Sequence, residues 1–236
     1  MKSWTTKTGT KIFRALQGRC NCFLITKDSK YLLVDTGREN NWDALCRNLE
    51  TLGVSANSSI NLVLTHCHFD HAGNAASIKE KYKALTIVHS SESIYLTNGE
   101  NPGIVGSTLF TKLLTNKFIQ PKIHNHFRYK PALYDVLVEE KYDLGSIGIS
   151  GYIIHTPGHS PGSISIIVDD EIAIAGDTMV GMFRGSIFPP FALEPKLMVK
   201  SWKKLLDTGC ATFLPAHGSE RTRAILKNQY NKYAIS

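Results

Sequence analysis

Short apolar runs separated by turn residues alternate along the chain with stretches of helical periodicity. Leu24-Ile25 and Tyr31-Leu32-Leu33-Val34 predict two strands joined by a turn around Lys27-Asp28-Ser29. The second run ends on Asp35-Thr36-Gly37. Leu45, Leu49 and Leu52 then recur at helical spacing, and Gly53 supplies the stop. Ile60, Leu62, Val63 and Leu64 form a compact run that predicts a buried strand ending at Thr65, just before a cluster of histidines. Asn74 to Tyr82 predicts a helix and Leu85 to Val88 a strand. Farther on, Ile147 to Ile154, Ile164 to Val168 and Ile172 to Ala175 read as strands. Pro195 opens a helix on which Met198, Trp202 and Leu205 share a face, and Gly209 ends it. Phe213-Leu214 reads as a last short strand, followed by a closing helix from Glu220 to Tyr233.

Residues 91–140 break this rhythm. They mix Gly, Asn, Lys and aromatics with little alternation, and helical pieces are expected around Leu109 to Leu114 and Pro131 to Glu139. The segment reads as a helical insertion or lid over a site. Gly99, Gly103 and Gly106 predict mobility. Tyr95, Phe110, Phe118, Phe127 and Tyr129 would offer apolar surface to a substrate, with Lys112, Lys117, Lys122 and Arg128 attracting an anionic group; alternatively the aromatics pack a helical pair onto the rest of the fold. The two halves of the chain also echo each other. Leu32-Leu33-Val34-Asp35-Thr36 parallels Ile174-Ala175-Gly176-Asp177-Thr178, each a strand that delivers an aspartate, as in a duplicated α/β layer.

Strands alternating with helices predict an α/β fold, and 236 residues fit a single domain, 1–236, with a core that needs neither metal nor disulfide to hold it. At 42% hydrophobic and 20% charged, the composition is that of an ordinary soluble protein. The net charge of +7 is spread over Lys2 to Arg19, Lys112 to Lys130, Lys196 to Lys204 and Arg221 to Lys232. No run resembles a nucleic-acid arm; the plainer reading is a solvated surface with a mild basic excess, the sharper one attraction of an anionic substrate, and a small-molecule partner is expected over nucleic acid. Cys20, Cys22, Cys46, Cys67 and Cys210 are odd in number and form no disulfide framework; free thiols point to the cytoplasm. The first residues lack a signal-peptide stretch, and no apolar run is long enough for a membrane span.

The chemistry concentrates in His66-Cys67-His68-Phe69-Asp70-His71. Imidazole nitrogen and carboxylate oxygen are standard zinc donors. His66 and His68, two apart in an extended segment, point the same way, whereas Cys67 points away. Further donors also sit just past strands: His159 in the turn Thr156-Pro157-Gly158-His159-Ser160-Pro161-Gly162, Asp177 after the run ending at Ala175, and His217 after Phe213-Leu214-Pro215-Ala216. Strand ends along one edge of a sheet can converge on a point. His89, His124, His126 and His155 lie outside this pattern and read as surface or packing histidines, with His89 notable for following a strand.

The order His-x-His-x-Asp-His, then a distant His, Asp and His, resembles the metallo-β-lactamase superfamily. The Thr-Pro-Gly-His turn and the Gly176-Asp177 pair match as well. The resemblance implies a four-layer αββα sandwich. It also implies that His66, His68 and His159 bind a first metal, that Asp70, His71 and His217 bind a second, and that Asp177 bridges them. Asp35 matches an aspartate that supports a ligand histidine from behind. Two divalent ions, zinc foremost with iron or manganese also suited, would share a hydroxide able to attack an ester, thioester, lactone or phosphoester. Asp70 would orient it and serve in proton transfer. Gly106-Ser107-Thr108 and Gly162-Ser163-Ile164 are not Gly-x-Ser-x-Gly elbows of a serine hydrolase.

Departures narrow the subgroup. Common lactamase subclasses lack the bridging aspartate, so Asp177 implies the glyoxalase-II-like side of the family. The helical region that glyoxalase II carries after this point has no counterpart in the short tail beyond His217. Acyl-homoserine lactonases place a tyrosine where this chain has Val180. His68 disfavours flavodiiron proteins, which have a glutamate there. A mononuclear iron enzyme like the persulfide dioxygenases, or a non-catalytic metal-binding module, remain the alternatives.

Overall fold

The computed structural model describes residues 1–115 and 127–234. Lys117, Phe118, Lys122, His124 and His126 lie outside the described residues. The first sheet contains β1 (Ser3–Thr5), β2 (Lys11–Leu16), β3 (Cys22–Lys27), β4 (Lys30–Val34), β5 (Ile60–Val63), β6 (Leu85–His89) and β7 (Val136–Val138), side by side in that order. It is antiparallel up to β4 and parallel from β4 to β7. The second sheet runs β13 (Arg221–Thr222), β12 (Thr212–Pro215), β11 (Ile172–Gly176), β10 (Ile164–Val168), β9 (Gly151–His155) and β8 (Lys141–Asp143). In this sheet only the β11–β12 pairing is parallel.

Alternation along the strands explains the layering. In β3 and β4, Phe23, Ile25, Leu32 and Val34 face one core; in β10, β11 and β12, Ile164, Ile166, Val168, Ile172, Ile174 and Leu214 face the same one. That shared core lies between the sheets. The intervening residues Leu24, Leu33 and Leu62 face outward, onto Leu45 and Leu49 of α1 (Trp42–Thr51) and Ile78 of α3 (Ala75–Tyr82). On the other side Ile167, Ala173, Ala175 and Phe213 pack on Met198, Trp202 and Leu205 of α6 (Pro195–Leu206) and Leu226 of α7 (Arg223–Tyr233). Strands with a period of two that are buried on both faces must be covered on both faces. The result is helix, sheet, sheet, helix, the expected αββα sandwich.

The remaining helices are α2 (Phe69–Ala72), α4 (Ser93–Asn98) and α5 (Leu109–Leu114). Several elements differ from the sequence expectations. The helix expected over Pro131 to Glu139 is absent. Val136-Leu137-Val138 instead extends along the open edge of β6, anchored where Asp135 N–H donates to Thr86 O and Asp135 Oδ2 accepts from Thr86 N–H. β-branched residues beside an unpaired strand edge favour that outcome. Ile147 closes a short 3-10 turn, and its strand begins only at Gly151. Strands β1, β2, β8 and β13 were not anticipated. In β2 an irregularity between Arg14 and Leu16 interrupts the alternation that would have revealed it. Among the described residues no helix is long and apolar enough to cross a membrane.

Candidate metal centre

Each donor of the sequence pattern sits at or just beyond a strand end. After β5 the chain stays extended through His68 (φ −72°, ψ 150°), then turns into the single-turn helix α2, which carries Asp70 and His71. Extended geometry sends His66 and His68 to one side. Cys67 goes to the other, into the outer core with Leu62 and Ala72. The β9–β10 connection brings His159, the end of β11 Asp177, and the end of β12 His217. The two sheets are tied together at this edge. Ile164 N–H donates to Thr65 O, while Asn21, in the β2–β3 turn, donates from its backbone to Ala216 O and from its side chain to Pro215 O and Gly218 O.

The three imidazoles of His66, His68 and His159 meet in the interior. His68 Nδ1 lies 2.9 Å from His66 Nε2 and 3.0 Å from His159 Nε2. His159 Nδ1 lies 3.0 Å from Phe191 O and donates to it, so the lone pair of Nε2 faces the cluster. Beside them, His71 Nε2 lies 4.0 Å from Asp70 Oδ1, and His217 Nε2 lies 3.7 Å from Asp70 Oδ2. Asp177 stands between the two sets. Its Oδ2 is 3.5 Å from His159 Nε2 and 3.2 Å from His217 Nε2, and its Oδ1 is 3.7 Å from His71 Nε2. The trios His66–His68–His159, His66–His71–Asp177 and Asp70–His71–His217 each bring donor atoms close enough together to hold a metal ion.

A cation fits this arrangement. Asp177 Oδ1 is buried without a hydrogen-bond partner, which is costly for a carboxylate oxygen unless a positive charge faces it. Zinc accepts nitrogen donors at about 2.0–2.1 Å in tetrahedral geometry, so the three imidazoles need only a slight spreading to about 3.3 Å apart. Burial, reinforced by neighbouring imidazoles, pushes the pKa of His66 and His68 well below the usual histidine range; burial also lowers that of His159. Neutral imidazole is the form that coordinates metal. His71 and His217 differ. Burial opposes their charge but is outweighed, for His71 by Cys20, Asp35 and Asp177, and for His217 by Asp177, so both pKa values rise. Burial likewise opposes the charge on Asp177, and His217, His71 and His159 hold its carboxyl far below the usual range.

Asp35 is where a supporting aspartate should be. His71 Nδ1 donates to Asp35 Oδ2 at 2.9 Å, leaving Nε2 to face Asp70, Asp177 and His217. The same carboxylate accepts from Thr65 N–H and Thr65 Oγ1–H, both at 2.8 Å.

Other contributors were missed in the sequence. Glu92 is fully buried, and its carboxylate joins the two histidine loops: it accepts from Cys67 N–H at 2.8 Å, Ser160 Oγ–H at 2.7 Å and Gly162 N–H at 3.0 Å. Burial raises its pKa. Cys20 Sγ lies 3.8 Å from both ring nitrogens of His71. No motif marks these residues. Only the fold brings them to the site, although the position of Glu92 just past β6 is the same strand-end location that identified the donors.

A cleft of about 370 Å³ opens over His68, Asp70, His159, Asp177 and His217. Phe69, Ile104, Phe127, Val180, Met182 and Phe191 make it largely apolar, and Arg19 and Arg38 line one part. Phe127 thus has the expected place. Tyr95 and Tyr129 do not: both pack in the outer core, and Tyr129 Oη–H donates to Cys67 O. Gly99 and Gly106 are tightly packed, since a Cβ would meet Tyr129 O and the Thr111 backbone respectively. His89 and His155 stack on each other 3.9 Å apart, outside the donor cluster, and burial followed by the neighbouring His155 lowers the His89 pKa to about 4. All five cysteines are free and buried.

Comparison with known proteins agrees with this geometry. A probable metallo-hydrolase of Methanocaldococcus jannaschii is 35% identical over 161 residues, which cover 67% of this chain and 66% of that protein. A metallo-beta-lactamase fold-containing protein of Sulfurisphaera tokodaii is 28% identical over 159 residues, 66% of this chain and 59% of that one. The matches therefore span about two thirds or less of these curated relatives. Among solved structures, the B3 metallo-beta-lactamase BLEG-1 superposes with a TM-score of 0.68 at 21% identity, covering 92% of this chain and 96% of that one. That likeness is one of fold. The sequence profile of the metallo-beta-lactamase superfamily matches residues 15–217, a span that begins before β3 and ends on His217, and the chain belongs to that superfamily.

Proposed function

We propose that the chain is a dinuclear metallohydrolase of the glyoxalase-II-like kind that cleaves a small ester, thioester, lactone or phosphoester. The observation that carries this reading is the position of Asp177, with one oxygen near His159 and His217 and the other near His71. His66, His68 and His159 would hold one ion, Asp70, His71 and His217 the other, with Asp177 between them. Zinc suits the histidine-rich set best, and iron or manganese also suit mixed nitrogen and oxygen donors. When bound, two such ions supply Lewis acidity and lower the pKa of a shared water toward neutrality.

The chain's own residues do the rest. Asp70, at the cleft floor, orients the attacking water and takes its proton. Asp35 and the Phe191 carbonyl fix the rings of His71 and His159. The apolar walls limit water around the scissile bond. We read residues 1–236 as one domain, with the 91–140 segment, which supplies Ile104 and Phe127 to the cleft, governing specificity. The name of the archaeal relative, a probable metallo-hydrolase, supports hydrolysis, and the five free thiols support a cytoplasmic setting.

The test is metal analysis of protein purified without added metal, combined with a panel of ester, lactone, thioester and phosphodiester substrates. About two metals per chain are expected, with turnover lost on chelation and restored by zinc. One iron per chain with oxidation of a persulfide would overturn the reading in favour of a redox enzyme. Metal without turnover of any kind would leave a binding module. Efficient carbapenem or penicillin hydrolysis, at about 10⁴ per molar per second or more, would move the chain to the lactamase side.

A further inference from the structure

We infer that Arg19 and Arg38 form a subsite for a carboxylate or phosphate group at the non-reacting end of the substrate. The inference rests on the reading of the cleft as a hydrolytic site. The two arginines line the cleft that opens over Asp70, Asp177 and His217, and they also line a second hollow of about 270 Å³. They therefore stand where the two spaces adjoin. The remaining lining of the second hollow is Gln17, Gly18, Cys20, Asn40 and Asn41, without a carboxylate. Among the described residues lining the main cleft, the acidic ones are Asp70 and Asp177, which belong to the donor cluster. Arg38 also lines a third, more open hollow together with Glu39, Asn40, Phe69, Arg128 and Tyr129, but among the described residues it forms no ion pair with Glu39.

Arg38 is half-buried, and its guanidinium lies over the Phe69 ring, 4.6 Å from the centroid; Phe69 in turn packs on Phe127 at 4.6 Å. Among the described residues neither the Arg38 nor the Arg19 side chain is engaged in a hydrogen bond or ion pair. A guanidinium placed over a ring can still direct N–H groups at the paired oxygens of a carboxylate or phosphate. Holding a partly desolvated, unpaired cation in place costs free energy, which an anionic ligand would recover. Arg19 adds a second, exposed cation, and Gln17, Asn40 and Asn41 add neutral amides for the polar remainder of the ligand. The apolar part of the cleft lining, with Ile104, Val180 and Met182, suits an apolar portion. A fitting substrate carries its scissile bond over Asp70 and Asp177 and its anionic end toward the arginines.

The experiment uses the metal-loaded chain and matched ester or thioester substrates: one ending in a carboxylate, one in a phosphate, and one in a neutral amide of the same length. The wild type should favour an anionic member by about 10- to 100-fold in kcat/KM. Whichever anion is favoured identifies the natural end group. In Arg38→Met, which retains an apolar side chain over Phe69 without the charge, and in Arg19→Ala combined with it, the ratio should fall toward one through KM. Arg38→Lys should restore part of it. In parallel, calorimetric titration with glutarate and with inorganic phosphate reads binding without turnover, and at least one of them should weaken about tenfold in the double variant. A wild-type ratio near one, or a ratio and anion affinity unchanged in a metal-replete double variant, would overturn the subsite. If no member of the panel is hydrolysed, the hydrolase reading fails, and the titration alone decides the arginine subsite.

Discussion

The two halves of the sandwich repeat one design and use it differently. In the first, the hairpin β3–β4 turns on two left-handed residues, Asp28 and Ser29, then passes through α1 to β5, parallel to β4. In the second, β10–β11 turns on left-handed Asp169 and Asp170, then passes through α6 to β12, parallel to β11. Both hairpins have the paired positive φ of a two-residue turn that suits strand twist. At the far end, each strand again reaches one left-handed residue: Asp35 (φ 62°) after β4 and Gly176 (φ 51°) at the end of β11. The sequence echo aligned Asp35 with Asp177. The backbone aligns it with Gly176: each lies six residues beyond the second turn residue, Ser29 or Asp170, and Asp177 follows one residue later.

That one-residue difference separates two roles. Asp35 tolerates the left-handed conformation and directs its carboxylate to Thr65 and His71, so it positions a donor. At Gly176 a side chain is excluded, because a Cβ would lie 2.8 Å from that of Thr65. The aspartate follows one residue later, among the donor atoms themselves. Repetition of a backbone thus does not carry repetition of chemistry; the neighbour across the sheet edge, here Thr65, decides what each equivalent position can hold.

The largest expected effect comes from Asp177→Asn. Turnover should fall by about a thousandfold or more, with loss of roughly one metal equivalent, because the variant removes the charge between the two donor sets. Asp70→Asn should cost about a hundredfold in kcat with a smaller change in KM. Metal content has to be measured in the same samples; normal kcat in either fully metallated variant would remove that residue from the chemistry.

Backbone and side-chain roles come apart at the paired left-handed positions. Gly176→Ala should destabilise the fold by about 3 kcal/mol, through its positive φ and the close approach to Thr65. Asp35→Gly keeps the permitted backbone and should retain most of the fold while weakening metal binding by about 10- to 100-fold. Thermal melts and competitive chelation measure the two quantities. Equal melting temperatures for wild type and Gly176→Ala would refute the comparison.

Glu92→Ala should cost about 2–3 kcal/mol, since Cys67 N–H, Gly162 N–H and Ser160 Oγ–H lose a shared buried acceptor. Glu92→Gln, which keeps one carbonyl oxygen, should recover part of that stability in denaturant titrations. A variant as stable as wild type would show that the two loops are held by other means.

The smallest effect concerns the second hairpin turn. Burial opposes the charge on Asp169, but Thr6 and Thr8 hydroxyls donate to it at 2.6 and 2.7 Å, and the balance lowers its pKa from 3.8 to about 2. A carboxyl depressed in the folded state contributes stability above its unfolded pKa, and that contribution is lost as pH falls toward the folded value. The melting-temperature deficit of Asp169→Asn should therefore be constant from neutral pH down to about 4 and shrink between 4 and 2. A deficit independent of pH would show that the charge is not involved.

His66, His68, Asp70, His71, His159, Asp177 and His217 could be picked out in the sequence as candidate donors because each lies beyond an apolar run, and such runs read as strands whose ends are exposed. The inner strands β3 to β6 and β10 to β12 were legible for the same reason: residues buried on both faces leave a continuous apolar signature. Edge strands β1, β7, β8 and β13 were not, since short, partly exposed edges carry little pattern. The convergence of the donors, the register of the two halves, the brace at Glu92 and the pair Arg19 and Arg38 were decided only by tertiary structure. Cys67 and Glu92, Asp35 and His71, and Arg38 and Phe69 are distant in the chain, and contacts across such separations depend on how two sheets pack rather than on any local periodicity.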